Sequence, residues 1–507
     1  MLSYRKLAMR VLGRPLHTEG IDSPRPASQR AAAFALTAAM LITLAAPAFA
    51  KTWHIEDGDI TVKAGDTKGT NKVSQGESTD VPDTDTVITN REKNASSNTV
   101  TIETNDKNDK VEVTLKDVNI DTSSRNKAAV SVTGEGDTNI KLDGDNALKS
   151  DIYRSGIYGS GSGSLTISGG ENDSLTAQGG SGANGISSSG SLTISGGTVT
   201  ANGDDGGRGI SSSGSVTISG GSTVTANGGN GTISGGDGIC SNGGVTISGG
   251  STVTANGGNG GSLVGGDGIR SGGGLTVSDG TVTAKGGNGD SKDGYGGDGI
   301  RSGGVITISG NTVNAAGGYG GKVGGYGICS FDRVAISGGT VEAAGGNGST
   351  GGGSGIYSSV IDLSGSLELT AKAGSPNGKA LLQAGHELDL DTIKDKLGPG
   401  AKVTVTDADG KVNQVSIPRP VEPEEPVIPE ESSSSSDGGS ATPSTPASPL
   451  PGLTVTDKSG AVISYTSTQS GNTLTVCVGR FTASFRISLA ALRQLRAEGI
   501  ETITFQT

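Results

Sequence analysis

Large side chains are scarce in this chain. Of its 507 residues, 3% are aromatic and 31% are hydrophobic of any kind. A conventional core of this size needs more bulky side chains, because large aliphatic and aromatic groups supply most of the buried apolar area. This scarcity argues against one thick globular core and favours many short strands around a narrow interior.

Cysteine, histidine and positive charge are scarce as well. The three cysteines are too few for a disulfide framework, and the three histidines lie far apart in sequence. No cysteine or histidine has the spacing of a zinc site. A formal net charge of -12 argues against nucleic acid as a partner, since nucleic-acid binding needs a basic surface.

The chain has one long apolar run, at residues 31–46, with basic residues before it. The run is shorter than the roughly 20 residues that a membrane-spanning helix needs. It is followed by Ala-Phe-Ala at 48–50, which is typical of a signal-peptide cleavage site. We therefore predict that residues 1–50 are a signal peptide. The mature chain is expected to begin at Lys51, to be secreted or cell-surface associated, and to have no membrane span.

Glycine, in contrast, is abundant, with 90 residues against a usual share of about 7%. A Gly-Ile step recurs at intervals of 24 to 31 residues. The isoleucines of this step are Ile157, Ile186, Ile210, Ile239, Ile269, Ile300, Ile328 and Ile356. Each repeat carries three short apolar patches in a fixed order, separated by Gly-rich turns, as expected for one triangular coil of a solenoid.

Alternation within the patches assigns their faces. Leu192 and Ile194 share one face of a strand, while Thr193 and Ser195 share the other. Stacked coils lie about 4.8 Å apart, so equivalent apolar residues form inward-facing columns. We therefore predict an all-β fold, a right-handed three-sided parallel β-helix, over residues 51–417.

Both ends of a solenoid need a cap. Trp53, the only tryptophan, follows the predicted cleavage site, and we interpret it as closing the N-terminal end. The alternative is an exposed tryptophan that stacks on sugar. Residues 381–415 are predicted to close the other end, with a short helix over 391–397 and two final strands.

Two further segments follow the predicted β-helix. Residues 418–451 are rich in proline, serine and glutamate, which predicts an extended linker without a core. Residues 452–507 alternate more regularly and predict a small α+β module. Its predicted helix begins at Ser488 as the N-cap and ends at Gly499.

The segment 111–150, followed by Gly-Ser-Leu-Thr-Ile-Ser-Gly-Gly, resembles a known family. Its V-x-V-x-L-x-D-V-x-I strand and I-x-L-x-G-x-N-x-L coil resemble those of carbohydrate-binding, polysaccharide-lyase-like parallel β-helix proteins of clostridial-type surfaces. The resemblance covers residues 53–415. It implies the β-helix fold and, as ligand class, plant cell-wall polysaccharide, including acidic chains bound with calcium.

The strongest candidate site is a column of aspartates. Asp237, Asp267 and Asp298 precede the Gly-Ile step in three successive repeats, and carboxylates about 5 Å apart repel each other unless they are neutralised. Arg270 and Arg301 follow in two of these coils and are candidates to pair with the aspartates or to bind an acidic sugar. The alternative is that each aspartate is only a turn residue before glycine.

Calcium is the second way to neutralise such carboxylates, since it prefers oxygen ligands. Asp290 and Asp293 lie in the longest inserted loop, just before Asp298. These three residues are the candidate calcium ligands. The alternative is a solvated loop that binds no metal.

These observations lead to one functional hypothesis and two rivals. We predict a secreted protein that binds polysaccharide or a cell-surface glycan, with calcium as its candidate cofactor. The first rival is a structural or adhesive surface stalk that binds no sugar. The second is a polysaccharide lyase with Arg208, Arg270 or Arg301 as the catalytic base.

Overall fold

The structure is a computed structural model that describes residues 50–419 and, further along, residues 453–456, 465–470, 473–478, 484–487, 495–496, 500 and 502–506. The chain divides into two compact units, Met1–Val421 and Glu422–Thr507. Almost all of the predicted signal peptide and linker lies outside the described residues, so both stay predictions.

The first unit is a stack of coils, and most coils contribute one strand to each of three parallel sides, which we call the first, second and third sheets. The first two sides are connected into one 25-stranded sheet, and the third is a 12-stranded sheet. The first sheet begins at the Gly-Ile step, where Ile239 pairs with Ile269 and Ile269 with Ile300. Its strands are Ile60–Ala64, Val100–Glu103, Val130–Thr133, Ile157–Gly159, Ile186–Ser188, Ile210–Ser212, Ile239–Ser241, Ile269–Ser271, Ile300–Ser302, Ile328–Ile336, Ile356–Leu363 and Leu381–Gln383. The Gly-Ile repeat thus sets the register of this side.

The second and third apolar patches form the other two sides. In the second sheet Leu192 pairs with Val216, and in the third Val199 pairs with Val224. The second sheet contains Thr52–His54, Thr86–Thr89, Lys110–Lys116, Asp137–Asp143, Leu165–Ser168, Leu192–Ser195, Val216–Ser219, Val245–Ile247, Leu275–Val277, Ile306–Ile308 and the later parts of Ile328–Ile336 and Ile356–Leu363. The third contains Asn119–Asp121, Asp145–Lys149, Ser174–Ser181, Thr198–Asp204, Thr223–Asn227, Ser251–Asn256, Gly280–Lys285, Thr312–Ala316, Gly339–Ala344, Leu367–Lys372, Lys402–Thr406 and Val412–Ser416. The predicted three-sided parallel β-helix is confirmed.

The core lies inside this stack and is almost entirely aliphatic. Leu192, Ile194 and Ile239 are completely buried, whereas Thr193 and Ser195 on the outer face are not. Each fully buried aliphatic side chain of this size contributes about 1.5–3 kcal/mol to stability. Since each coil buries only a few such residues, the narrow core explains why the chain needs so few aromatic side chains.

The N-terminal end is covered by strands that alternation in the sequence does not predict. Asn71–Gln75 pairs antiparallel with Ile60–Ala64 and with Ser78–Asp83. Trp53 lies in the first strand of the second sheet, Thr52–His54, and is 2% exposed. The alternative of an exposed, sugar-stacking tryptophan is therefore wrong.

The C-terminal end closes much as predicted. Val412–Ser416 pairs antiparallel with Lys402–Thr406, the last parallel strand of the third sheet. The short strand His386–Glu387 folds back on Leu381–Gln383. The helix expected at 391–397 is a 3-10 helix, Leu390–Lys396, and a second 3-10 helix, Ile55–Asp57, lies near the other end.

Gly-rich loops lead from the third sheet back to the first, and they interlock from coil to coil. The amide of Gly258 donates to the carbonyl of Gly236, and the amide of Gly266 donates to the carbonyl of Gly258, both at 2.8 Å. A Cβ atom on Gly258 would lie only 2.0 Å from the carbonyl oxygen of Gly229. Glycine is required here by the close approach of two backbones. Because Gly266 precedes Asp267, the interlocked loops also position the aspartate column.

The second unit forms small sheets. Its strands are Leu453–Thr456, Thr466–Ser470, Thr473–Cys477, Ser484–Ile487 and Thr502–Gln506. The strand Thr473–Cys477 pairs antiparallel with Thr466–Ser470 and parallel with Thr502–Gln506. The helix predicted from Ser488 is described only at Leu495 and Arg496, which are helical. The α+β class of this unit is as predicted.

Candidate functional site

The three predicted aspartates form a hydrogen-bonded column. Oδ1 of Asp237 accepts from the backbone amide of Asp267 at 2.9 Å, and Oδ1 of Asp267 accepts from the amide of Asp298 at 2.8 Å. Oδ1 of Asp298 accepts from the amide of Tyr326 at 2.7 Å. Each carboxylate therefore binds the backbone of the next coil, and all three side chains are buried.

Three arginines neutralise this column. Nε of Arg270 donates to Oδ2 of Asp267 at 2.8 Å, and Nη1 of Arg301 donates to Oδ2 of Asp298 at 3.3 Å. These are the pairs that the sequence offered as an alternative to calcium. The partner of Asp237 comes from the preceding coil. Nε of Arg208 donates to Oδ2 of Asp237 at 3.1 Å. We call these six residues the Asp–Arg ladder.

Burial sets the proton affinities within the ladder. Burial, together with the neighbouring carboxylate of Asp267, raises the pKa of Asp298 to about 7. Burial and the charge of Asp237 likewise raise the pKa of Asp267. Burial disfavours the charge on Arg270, but the carboxylates of Asp267 and Asp237 outweigh this effect and raise its pKa. An arginine that holds its proton so firmly is a poor general base, so this arrangement gives no support to a lyase reaction.

The predicted calcium ligands do not fit a metal site. Asp290 and Asp293 are exposed, whereas Asp298 is buried, with Arg301 and the amide of Tyr326 on its oxygens. Among the described residues, no group of three or more histidine, cysteine, aspartate and glutamate side chains is placed to hold a metal ion. Calcium as a candidate cofactor stays an untested prediction.

The aspartates and the arginines of the ladder differ in their exposure to solvent. The aspartate side chains are 4–6% exposed, whereas those of Arg208, Arg270 and Arg301 are 41%, 43% and 39% exposed. The ladder is formally neutral, but the cationic groups face solvent and the anionic groups do not. The ladder therefore presents cationic groups to solvent on a chain that is acidic overall.

Aromatic rings lie beside Arg301, the last of these arginines. The guanidinium of Arg301 lies 5.1 Å from the ring centre of Phe331, which is 53% exposed. The rings of Tyr326 and Tyr357 stack at 5.1 Å with an interplanar angle of 16°. In the strand register of successive coils, Arg270 pairs with Arg301, Arg301 with Cys329, and Cys329 with Tyr357. We call Arg270, Arg301, Tyr326, Phe331 and Tyr357 the Arg–aromatic face.

Sequence reasoning missed this aromatic group, although a signal was present. Between residues 50 and 419 there are seven tyrosines and phenylalanines, and five of them lie between Tyr295 and Tyr357. Tyr326 occupies the position that the aspartates hold in the preceding repeats, and the aromatic stack begins at this residue. Clustering of a scarce residue type, more than its overall frequency, was the informative feature.

No family model, curated protein or solved structure matches this chain. No helix in the described ranges combines the length and the apolar character needed to cross a membrane. The fold defines the class, a parallel β-solenoid. What distinguishes this solenoid is the Asp–Arg ladder with its Arg–aromatic face.

Proposed function

We propose that this chain is an extracellular carbohydrate-binding β-helix protein that binds acidic polysaccharide on its Arg–aromatic face. The observation that carries the proposal is the unequal exposure within the ladder. Arginines are about two-fifths exposed, while the aspartates that hold them are buried. Phe331 lies beside Arg301 and is itself exposed, so the face offers a cation and an aromatic ring together.

The free donors of these arginines support the proposal. Arg208 and Arg270 use only Nε toward the ladder, and within the described residues their Nη groups have no partner. Guanidinium N–H groups bind carboxylates in charge-assisted pairs, often two at a time. Arg270 and Arg301 pair in the strand register of adjacent coils, which lie about 4.8 Å apart. Their guanidinium groups therefore form a row suited to a polymer with regularly spaced carboxylates.

The aromatic rings supply the second type of contact. The faces of sugar rings carry C–H groups, which pack on aromatic side chains and bury apolar area. Phe331 is the most exposed ring of the face, and the stacked pair of Tyr326 and Tyr357 widens the platform. Arginine for the carboxylate and an aromatic ring for the sugar face together suit a uronate polymer better than a neutral glycan.

The test compares two forms of one polymer. The secreted chain is applied to immobilised polygalacturonate and to the same polymer after methyl esterification, each with and without a calcium chelator. We expect retention on the acidic form, weak retention on the ester, and little effect of the chelator, because the proposed contacts use arginine. Loss of binding in chelator would assign the contact to calcium. Equal retention on both forms would refute recognition of the carboxylate, and no binding to either would favour the structural stalk.

A further inference from the structure

A further buried carboxylate lies at the N-terminal end of the β-helix, far in sequence from the ladder. Asp83 ends the strand Ser78–Asp83 and is completely buried. Its Oδ2 accepts from Nε1 of Trp53 at 2.7 Å. Its Oδ1 accepts from the backbone amides of Lys51 and Asp85, both at 3.2 Å.

No cationic side chain pairs with this carboxylate. Each aspartate of the ladder has an arginine, but Asp83 has only neutral donors among the described residues. The nearby ammonium of Lys51 is directed elsewhere, with Nζ 3.8 Å from the ring centre of Trp53. Buried charges in proteins are normally paired, so Asp83 lacks a partner that the fold would be expected to provide.

Hydrolysis of one peptide bond would supply a cation next to Asp83. The backbone nitrogen of Lys51 already donates to Asp83, and Lys51 is the first residue after the Ala-Phe-Ala cleavage pattern. Ala50 is exposed, so the bond between Ala50 and Lys51 lies at the surface. Hydrolysis of that bond adds the hydroxyl of water to the carbonyl carbon of Ala50 and a proton to the nitrogen of Lys51. At neutral pH the new amine takes up a further proton and becomes an ammonium group.

We infer that a processing peptidase cleaves between Ala50 and Lys51, and that the resulting α-ammonium of Lys51 pairs with the buried carboxylate of Asp83. Cleavage thus replaces a neutral amide with a cation at a position already within hydrogen-bond distance. Trp53 follows two residues later and binds the other oxygen of Asp83, so the ion pair fixes the first strand of the second sheet. The end of the β-helix reaches its full stability only in the processed chain.

The first experiment locates the terminus. The full-length precursor is expressed in a secreting host, and the N-terminal peptide of the exported protein is identified by mass spectrometry. The inference requires Lys51 as the first residue. A start at any other position would overturn it.

The second experiment tests the ion pair in a double-mutant cycle. Chains that begin at Lys51, or that retain residues 48–50, are each made with the natural Asp83 and with Asp83→Asn. We expect the retained residues to lower the melting temperature by at least about 3 °C with the natural Asp83 and to have no effect with Asp83→Asn. An equal loss in both backgrounds, or no loss in either, would contradict the pair.

A third measurement applies even if Asp83→Asn fails to fold. The α-amine of the processed chain is acetylated at pH 8, and its rate is compared with that of a short peptide that begins with the same residues. A paired ammonium holds its proton beyond the usual amine pKa of about 8, so we expect reaction at least about tenfold slower in the folded chain. Equal rates would show that the amine is unpaired.

Discussion

Replacement of Gly258 by alanine tests the interlocked loops that position the ladder. The new Cβ would lie 2.0 Å from the carbonyl oxygen of Gly229, well inside the roughly 3.3 Å of a close C···O contact. Moving the two backbones apart breaks the hydrogen bonds from Gly258 to Gly236 and from Gly266 to Gly258. At about 1–3 kcal/mol for each of the two buried amides left without a partner, we expect a loss of about 2–6 kcal/mol.

The chain offers a matched control in the same type of loop. A Cβ on Gly351 would meet only the methyl groups of Val323, at 3.8 Å and 3.9 Å, which is ordinary contact. Denaturant unfolding measures both variants, and hydrogen exchange at the amides of residues 258 and 266, the donors of the two bonds, shows whether the loop has opened. Gly258→Ala should be strongly destabilised and Gly351→Ala nearly unchanged. Equal midpoints for the two variants would refute the argument that close backbone approach requires glycine here.

Three further predictions concern the site. Phe331→Ala combined with Tyr357→Ala should weaken binding of acidic polysaccharide several-fold in calorimetry, whereas Tyr158→Ala, an exposed tyrosine in an early coil of the same sheet, should not. Binding should also fall steadily from 50 to 500 mM salt, as expected for exposed charges; a salt-independent affinity would contradict an arginine contact. The raised pKa of Asp298 means that the folded state binds its proton more tightly than the unfolded state. The contribution of Asp298 to the free energy of unfolding is therefore lost as pH rises from about 4 to about 7. The denaturant midpoint of Asp298→Asn should change less over that pH range than that of the natural chain.

The repeated part of the fold could be predicted because each coil repeats the same alternation. Ile239 pairs with Ile269 and Ile300 because the three occupy the same position after a Gly-rich turn. The end strands Asn71–Gln75 and Ser78–Asp83 could not be predicted in this way. Asn71–Gln75 buries Asn71 and Val73, of which only Val73 is apolar, and Ser78–Asp83 buries only Asp83. Neither strand therefore repeats the apolar alternation of the coils.

The candidate site was predictable in part for a similar reason. The aspartates follow the repeat, so their column could be read from the spacing of Asp237, Asp267 and Asp298. The pairing of Arg208 with Asp237 could not, because a long side chain reaches from one coil to the next. The Gly-rich loops resemble flexible linkers in sequence, and only the neighbouring coil shows that Gly258 has no room for a side chain.

The most direct test of the proposed function is arginine footprinting. The secreted chain is treated with phenylglyoxal in the presence and absence of oligogalacturonate, and modification of each arginine is measured by mass spectrometry. Arg270 and Arg301 should be protected by the ligand, whereas Arg91, which is half-exposed and ion-paired to Asp57 close to the N-terminal end, should react equally in both samples. Unchanged modification of Arg270 and Arg301 at saturating ligand would contradict binding at the Arg–aromatic face.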